Sequence, residues 1–165
     1  MTSRVSVTLR PAVPADADGI AAIFVQSAAH HAQLEPGRYW VPAVEALAAR
    51  YRDESLASNT LNRSTTIVAE RDGEIVGFVD ARLDRSSDPT HRDLNYCHVV
   101  ELAVDSQHRS RGVGGALLRA AEDWGRAHGA AFAYLEYLVG NVRAGEFYER
   151  RMGYRVASLA AIRDL

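Results

Sequence analysis

The most informative segment of the sequence is rich in glycine: Val104-Asp105-Ser106-Gln107-His108-Arg109-Ser110-Arg111-Gly112-Val113-Gly114-Gly115-Ala116-Leu117-Leu118. It joins an apolar, strand-like run to a helical pattern. Small residues at this junction allow successive backbone N–H groups to point at one spot, and the helix N-terminus adds its positive dipole end. The arginines add formal charge and several hydrogen-bond donors. The segment therefore predicts a cradle for a pyrophosphate group.

Two common phosphate-binding motifs are excluded. A dinucleotide-binding turn requires Gly-x-Gly-x-x-Gly, but the sixth position counted from Gly112 is Leu117. A P-loop requires a lysine, and all 19 basic residues of the chain are arginines. The same composition excludes a Schiff-base lysine. A helix that merely begins at glycines is the alternative, and the arginines and the preceding apolar strand argue against it.

Outward from this segment, the hydrophobic pattern predicts a mixed α/β fold with the order β-α-α-β-β-β-α-β-α-β. We expect a central antiparallel meander followed by a βαβ unit. Strands are expected at residues 5–9, 65–70, 75–83, 95–104, 132–139 and 154–159. Helices are expected from residue 16 or 18 to about 30, over 42–57, from the glycine-rich turn to about 128, and over 142–151.

Length and composition indicate an ordinary globular chain. Its 165 residues suit a single domain, residues 1–165. The only cysteine is Cys97, so no intramolecular disulfide can form and a cytoplasmic location is expected. No apolar run approaches the roughly 20 residues of a membrane span, so no membrane partner is expected. The net charge of −2 lacks the basic footprint of a nucleic-acid-binding protein.

Histidines raise the question of a metal site. His30 and His31 lie near Glu35, but adjacent residues on a helix point about 100° apart and do not chelate one ion together. We therefore expect no metal. These histidines, with Tyr39 and Trp40, are expected to line an acceptor pocket instead.

With these motifs in place, the sequence resembles the GNAT N-acetyltransferase superfamily. Arg109-x-x-Gly112-x-Gly114 is similar to the R/Q-x-x-G-x-G/A signature of that family, and Glu101-Leu102-Ala103-Val104-Asp105 resembles the strand before it. The segment from Asn141 to Arg150 resembles the family's N-x-x-A-x-x-F/L-Y-E block. The likeness covers nearly the whole chain in the right order.

Further points of likeness lie along the rest of the chain. Gly153-Tyr154 resembles the closing G-F/Y of the family, the turn at Asp72-Gly73 with Ile75-Val76-Gly77-Phe78 resembles its hairpin, and Arg10-Pro11 with Asp16 or Asp18 resembles its opening. One departure concerns the last helix. Four residues separate Tyr148 from Gly153, where many relatives have three, which affects how that helix ends.

The resemblance implies acetyl-CoA as co-substrate, held between two central strands that splay apart, residues 95–104 and 132–139. Backbone groups of Leu102, Ala103 and Val104 would pair with the pantetheine arm. The pyrophosphate would lie on N–H groups of Arg109, Ser110, Arg111, Gly112, Val113, Gly114 and Gly115. Asn141 would hydrogen-bond the cofactor arm or cap its own helix, and Tyr148 would also contact the cofactor.

The implied chemistry is transfer of an acetyl group to a primary amine of a small molecule or peptide, by direct attack in a ternary complex. Tyr148 is the expected general acid, because a phenol of pKa about 10 suits a leaving thiolate of pKa about 8.5. Candidate bases are Glu101 first and His98 second, with Glu136 or a water as further alternatives. Strand alternation puts His98 and Glu101 on opposite faces unless a bulge intervenes.

Two other functions are compatible with this fold. One is a non-catalytic acyl-CoA-binding regulatory module, against which the retained Tyr148 and candidate bases argue. The other is a toxin that acetylates aminoacyl-tRNA, against which the balanced charge and the absence of lysine argue. The acceptor amine is not specified by the sequence. We also expect a homodimer.

Overall fold

The computed structural model describes residues 6–55 and 63–163. The strands are β1 Thr8–Pro11, β2 Ser64–Arg71, β3 Glu74–Arg85, β4 Asn95–Val104 and β5 Ala133–Tyr134. The helices are α1 Ala17–Leu34, α2 Val44–Arg50, α3 Val113–Ala127 and α4 Val142–Gly145. α2 continues as a π-helical turn, Tyr51–Ser55, and α4 continues as the π-helical segment Glu146–Arg151.

The strands form one five-stranded sheet in the order β1-β2-β3-β4-β5. Neighbours from β1 to β4 are antiparallel, and β4 pairs with β5 in parallel. The helix α3 connects these two parallel strands, so that β4, α3 and β5 form a βαβ unit. The mixed α/β fold predicted from the sequence is confirmed.

Apolar clusters cover the two faces of the sheet. On one face, α1 and α2 pack through Ile20, Ile23 and Leu47 against Phe78 of β3. On the other face, α3 packs through residues three and four apart along the helix, as an amphipathic helix requires: Val113, Leu117, Leu118 and Ala121. The sheet is therefore enclosed between helices, and its strand ends are free to form a site.

The entry into α1 is fixed by a partly buried ion pair. Arg10 donates to both carboxylate oxygens of Asp16, at 2.7 and 2.9 Å, and also to Glu70 of β2 at 2.8 Å. The Arg10 guanidinium lowers the pKa of Asp16. Asp16 also accepts the Val13 N–H at 2.8 Å, so this carboxylate organises the entry into α1.

Two predicted strands differ from the structure. The strand predicted over 154–159 is wrong, because residues 154–163 form no strand. Val156, Leu159 and Ile162 are 53%, 80% and 60% exposed. These apolar side chains are not packed against the sheet, so the segment does not extend it. The strand predicted over 132–139 shortens to Ala133–Tyr134.

The remaining predicted bounds are close to those observed. The prediction for β4 agrees at both ends, and α1 runs further than predicted, to Leu34. The predicted helix over 42–57 corresponds to α2 and its π turn, and its residues 56–57 lie outside the described part of the chain. The first predicted strand begins at Thr8 in the structure, and its residue 5 also lies outside the described part.

Candidate active site

A β-bulge in the middle of β4 sets the orientation of the candidate bases. Asp80 of β3 is opposite Glu101, whereas the next residue, Ala81, is opposite Val99. Val100 is therefore the extra residue, and its side chain is 48% exposed. The bulge shifts the alternation by one, so Glu101 lies on the same face of the sheet as His98.

Strands β4 and β5 separate just beyond their short pairing. Only Cys97 with Ala133 and His98 with Tyr134 are paired in register. Beyond that point β4 runs on to Val104 without β5 beside it. The predicted splay between residues 95–104 and 132–139 is therefore present in the structure.

A cavity of about 660 Å³ opens at this splay. It brings together most of the residues predicted for the site: Glu101, Leu102, Ala103, Val104, Arg109, Ser110, Gly112, Gly114, Gly115, Glu136, Asn141 and Tyr148. Three predicted residues do not line it. Val113 is buried against the α3 side of the sheet, and Arg111 and His98 are not among its lining residues.

The glycine-rich loop, residues 109–115, forms one end of the cavity. Gly112 precedes α3 with a φ of +88°, a left-handed conformation that favours glycine. Arg109 donates from Nε to the Val104 carbonyl at 2.9 Å, and Arg143 of α4 donates to the Ser110 hydroxyl at 3.0 Å. The first N–H groups of α3 have no partner within the helix and face this end.

The side chain of Gln26 in α1 ties the loop to the rest of the fold. It donates to Asp105 at 2.9 Å and accepts the Ser106 N–H at 2.9 Å. Asp105 in turn accepts the Gln107 N–H at 2.9 Å. These contacts fix the chain between β4 and the glycine-rich loop.

Glu101 lies on the cavity wall below α1. Ser27 donates its hydroxyl to Glu101 at 3.1 Å. Burial, together with the nearby charge of Asp80, raises the pKa of Glu101 to about 7, although the Ser27 hydroxyl opposes this rise. A carboxyl group with such a pKa can accept a proton near neutral pH.

Tyr148 lines the same cavity as Glu101. Its ring packs against Phe147, Tyr137 and Tyr154, with ring centroids 5.0, 5.6 and 6.0 Å away. Burial and, secondarily, the charge of Glu101 raise the pKa of Tyr148, so its phenol stays protonated. A phenol that keeps its proton can act as a donor but not as an acceptor of a proton.

The extra residue before Gly153 is absorbed in the π-helical segment. The Met152 N–H bonds the Phe147 carbonyl five residues earlier, at 3.1 Å. Gly153, with a φ of +77°, then ends the helix, and Tyr154 N–H bonds the Tyr148 carbonyl at 2.9 Å. Insertions of this kind inside helices are typical of functional sites.

His98 is held away from the cavity by its own partners. Its Nδ1 lies 3.0 Å from Asp84 and 3.2 Å from the Arg82 guanidinium. Its ring also packs edge-on against Tyr134, with centroids 5.2 Å apart. The structure therefore separates the two leading candidate bases, although both lie on one face.

The other predicted polar residues have identifiable roles in the fold. Asn141 accepts the Ala144 N–H at 3.1 Å and so caps α4. Glu136 accepts the Tyr134 hydroxyl at 2.6 Å and lines the cavity. Helix capping was one of the two predicted roles of Asn141, and the structure contains it.

The predicted acceptor residues are only partly in the cavity. His30 and His31 line it, whereas Tyr39 reaches it through a ring contact with His31, with centroids 5.5 Å apart. Trp40 is 77% exposed. Within residues 6–55 and 63–163, no group of three or more metal-ligating side chains is suitably placed for an ion.

Sequence reasoning missed the groups behind Glu101. Asp80 accepts the Tyr51 hydroxyl at 2.6 Å and the Thr66 hydroxyl at 2.7 Å, beneath α2. The available signal was an acidic residue inside the apolar run Ile75-Val76-Gly77-Phe78-Val79-Asp80-Ala81. A carboxylate at a buried strand position requires partners, and that requirement alone could have singled it out.

Residues 29–154, well over half of the chain, match the acetyltransferase (GNAT) family. The chain therefore belongs to the GNAT acetyltransferase family.

Individual relatives agree with this assignment. The chain is 35% identical over 94 residues to an N-alpha-acetyltransferase of Sulfurisphaera tokodaii, a match that covers 53% of this chain and 54% of that protein. The chain spans about half the length of the curated relatives it matches.

Solved structures extend the likeness to the whole fold. A mutant form of a Bacillus halodurans protein superposes with a TM-score of 0.80 at 21% identity, covering 96% of this chain and 99% of that chain. An aminoglycoside N-acetyltransferase in complex with CoA gives a TM-score of 0.73 at 17% identity, covering 100% of this chain and 98% of that chain.

The residues present fit a coenzyme A molecule at this cavity. Four arginines line the cavity and suit phosphate charge: Arg109 of the glycine-rich loop, Arg143, which bonds Ser110 of that loop, Arg119 and Arg151. At Gly114 an added Cβ would come within 3.6 Å of Phe147 and Val104, so a longer side chain there would occupy the cavity.

Among the described helices, none is long and apolar enough to cross a membrane.

Proposed function

We propose that the chain transfers the acetyl group of acetyl-CoA to a primary amine of a small molecule or peptide, by direct attack in a ternary complex. One observation carries this proposal. A single cavity at the splay of β4 and β5 has a cationic, glycine-rich end and, further along, an ionisable pair, Glu101 and Tyr148.

Cofactor binding would use the open half of β4 and the glycine-rich loop. Backbone groups of Leu102, Ala103 and Val104 would pair with the pantetheine arm in place of a neighbouring strand. N–H groups of Arg109 to Gly115 would hold the pyrophosphate, with help from the α3 dipole. A backbone N–H in the 102–104 stretch would also stabilise the oxyanion that develops on the thioester.

Glu101 would act as the base. An alkyl amine has a pKa of about 10 and is mostly protonated at neutral pH, so it must lose a proton to attack. Glu101 lines the cavity, and its pKa of about 7 allows it to accept that proton directly or through a water. The Ser27 hydroxyl fixes the orientation of its carboxylate.

Tyr148 would act as the acid. When the tetrahedral adduct collapses, the carbon–sulfur bond breaks and the sulfur leaves as a thiolate. The Tyr148 phenol would give its proton to that sulfur, and a phenolate near Glu101 would readily take a proton back from solvent or the product ammonium. This role is supported by the position of Tyr148 on the cavity wall.

The acceptor is suggested at the level of its class. A relative is named as an N-alpha-acetyltransferase, and a structural neighbour is named as an aminoglycoside N-acetyltransferase. Carboxylates at Glu101 and Glu136 suit a cationic amine. Peptides with free N-termini and aminoglycosides are therefore the first acceptors to examine.

Two measurements test the proposal. Acetyl-CoA at about 100-fold over its Kd should stabilise the fold by roughly 2.7 kcal/mol, whereas NADH and ATP should not. Release of free thiol should then be followed with a panel of amines, N-terminal peptides and aminoglycosides. Absence of any acetyl-CoA stabilisation would contradict the proposal, and stabilisation without thiol release would favour the regulatory acyl-CoA-binding module.

A matched pair of variants locates the cofactor. Gly114→Asp should abolish acetyl-CoA binding while leaving the protein folded, because it adds both bulk and negative charge at the pyrophosphate. Gly114→Asn has the same size without the charge and should bind more weakly than wild type but better than Gly114→Asp. Normal binding by Gly114→Asp would show that the glycine-rich loop does not hold the cofactor.

Three further expectations accompany this function. We propose that residues 1–165 form one domain, that the protein is cytoplasmic and that it forms a homodimer. Cell fractionation tests the location, and light scattering of the purified protein tests the oligomeric state.

A further inference from the structure

A buried carboxyl group stands directly behind the proposed base. Asp80 of β3 is the cross-strand partner of Glu101, opposite it in register. Directly opposed side chains in an antiparallel pair have Cβ atoms about 4.5–5.5 Å apart, and like charges at such positions repel. The fold therefore places two carboxyl groups together where one charge disfavours the other.

The bulge at Val100 creates this pairing. With regular alternation and no extra residue, the side chain at position 101 would point to the α3 face, away from Asp80. The inserted residue turns Glu101 toward the α1 face, where it meets both Ser27 and Asp80. The pairing of the two carboxyl groups is thus a product of backbone geometry rather than of local sequence.

Asp80 is held by groups from several elements. Tyr51 and Thr66 donate hydroxyl hydrogen bonds to separate carboxylate oxygens, at 2.6 and 2.7 Å. The Tyr51 ring is fixed in turn against Phe24 and Phe78, with centroids 6.3 and 5.8 Å away. The arginine that precedes Tyr51, Arg50, adds a favourable positive charge.

These contacts determine which of the two carboxyl groups ionises first. Burial raises the pKa of Asp80, but two hydroxyl donors and Arg50 lower it. Glu101 has one hydroxyl donor, Ser27, and it lines the same cavity as Tyr148. Because a charge that is better hydrogen-bonded forms first, the proton that the pair retains near neutral pH belongs to Glu101.

We propose that Asp80 is a positioning residue for acetyl transfer: its carboxylate, fixed by Tyr51 and Thr66, keeps a negative charge beside Glu101 and makes Glu101 a stronger proton acceptor. Asp80 itself does not line the cavity and so acts through Glu101. This inference rests on the proposed function for its catalytic meaning, but the coupling of the two carboxyl groups can be measured without any activity.

The test is the titration of the Glu101 carboxyl group, followed by NMR in protein labelled with ¹³C at glutamate Cδ, with Glu101→Gln used to assign its signal. In Asp80→Asn the midpoint should move to lower pH by about one unit or more. The amide is nearly isosteric, and the hydroxyls of Tyr51 and Thr66 can rotate to accept or donate, so the fold should persist. Asp84→Asn, on the same strand but bonded to Arg82 and His98, should leave the midpoint unchanged.

A kinetic readout separates positioning from packing. In Asp80→Asn the acidic limb of the kcat/KM profile should shift to lower pH together with the Glu101 midpoint, and the plateau should fall because the base is weaker. An unmoved midpoint in folded Asp80→Asn overturns the inference. If that variant does not fold, Tyr51→Phe takes its place: with one donor fewer, Asp80 ionises less readily, the first ionisation passes toward Glu101, and the Glu101 midpoint should move to lower pH. An unmoved Glu101 midpoint in folded Tyr51→Phe likewise overturns the inference.

The two proposals fail in different ways. Protein that acetylates no amine but shows the shifted titration would contradict the proposed function alone. Active protein whose Glu101 midpoint ignores Asp80 would contradict this inference alone.

Discussion

The two halves of β4 have the same strand geometry but opposite surroundings. Before the bulge, Cys97 and His98 pair with β5, and Tyr96 stacks on Phe132 with centroids 5.3 Å apart. After the bulge, residues 101–104 have no β5 beside them and line the cavity. We call residues 95–99 the closed half of β4 and residues 101–104 its open half. Each half carries one candidate base, His98 in the first and Glu101 in the second. The presence or absence of the neighbouring strand β5, and not the residue type, therefore determines which base is accessible from the cavity.

The largest expected effect is on kcat, and it should differ between variants of the two candidate bases, Glu101 and His98. Glu101→Gln should lower kcat by about 10³-fold, because the base in the open half is lost. The defect should shrink as pH rises toward the pKa of the amine, where no base is needed. His98→Asn, in the closed half, should keep kcat close to wild type.

Steady-state kinetics from pH 6 to about pH 10 check this expectation, since an alkyl amine titrates near the upper limit. If His98→Asn shows the pH-rescued defect and Glu101→Gln does not, the closed half supplies the base after all. If neither variant shows it, Glu136 or a water takes that role. A rise in KM without the pH trend would mean that Glu101 only attracts the cationic acceptor.

A smaller loss of kcat is expected for Tyr148, which lines the same cavity as the open half. Tyr148→Phe removes one hydroxyl and should lower kcat by about 10²-fold, with the Kd for acetyl-CoA nearly unchanged. The defect should be smaller with an activated thioester whose thiolate leaves unaided. Kinetics with both thioesters measure the difference.

Tyr137→Phe is the matched control for this prediction. Tyr137 lines the same cavity, but its hydroxyl donates to Glu149 at 2.6 Å. Its loss should leave kcat nearly intact. A larger kcat defect in Tyr137→Phe than in Tyr148→Phe would mean that Tyr137, and not Tyr148, is the general acid.

The smallest expected effect is on the free energy of unfolding, at the contact between α3 and Cys97 of the closed half. A Cβ at Gly125 of α3 would lie 2.4 Å from the Cys97 Cβ and 2.8 Å from its Sγ. Gly125→Ala should therefore lower the free energy of unfolding by about 2 kcal/mol, after allowing for the gain in helix propensity. Urea denaturation measures it.

Gly114→Ala provides the contrast on the same helix. Its Cβ would meet its nearest neighbours at 3.6 Å, an ordinary contact. This variant should be as stable as wild type or slightly more stable. Equal losses for the two variants would show that α3 responds to any glycine replacement and that its contact with Cys97 is not special.

Much of the fold was predictable because its patterns are local. The alternation of β4 and the glycine-rich start of α3 both follow from short-range residue spacing, and both were predicted correctly. The strand at 154–159 was not, because Tyr154 and Val156 have strand spacing but Val156 and Leu159 stay exposed and the segment pairs with no neighbouring strand. The shortening of β5 was also missed, since where two strands separate depends on tertiary packing.

The candidate site was predictable in its residues but not in its geometry. Glycine and arginine at the loop and tyrosine in the last helix are visible in the sequence. The bulge is not, because Val100 is an ordinary valine in a β-prone run, and a sequence without it would leave His98 and Glu101 on opposite faces. The four residues between Tyr148 and Gly153 did signal an irregularity, which proved to be a π-helical segment.

The carboxyl pair of Asp80 and Glu101 also affects the stability of the whole fold. Burial raises the pKa of both groups, and that of Glu101 rises from 4.5 to about 7. Between these values the native chain keeps a proton that the unfolded chain has released, so the pair's contribution to stability decreases as pH rises through that interval. Below it both states are protonated, and the pair no longer opposes folding. The pair therefore opposes the folded state least at the acidic pH where Glu101 cannot take a proton from an amine. The pH range that suits the stability of the fold and the pH range in which Glu101 can act as a base lie apart.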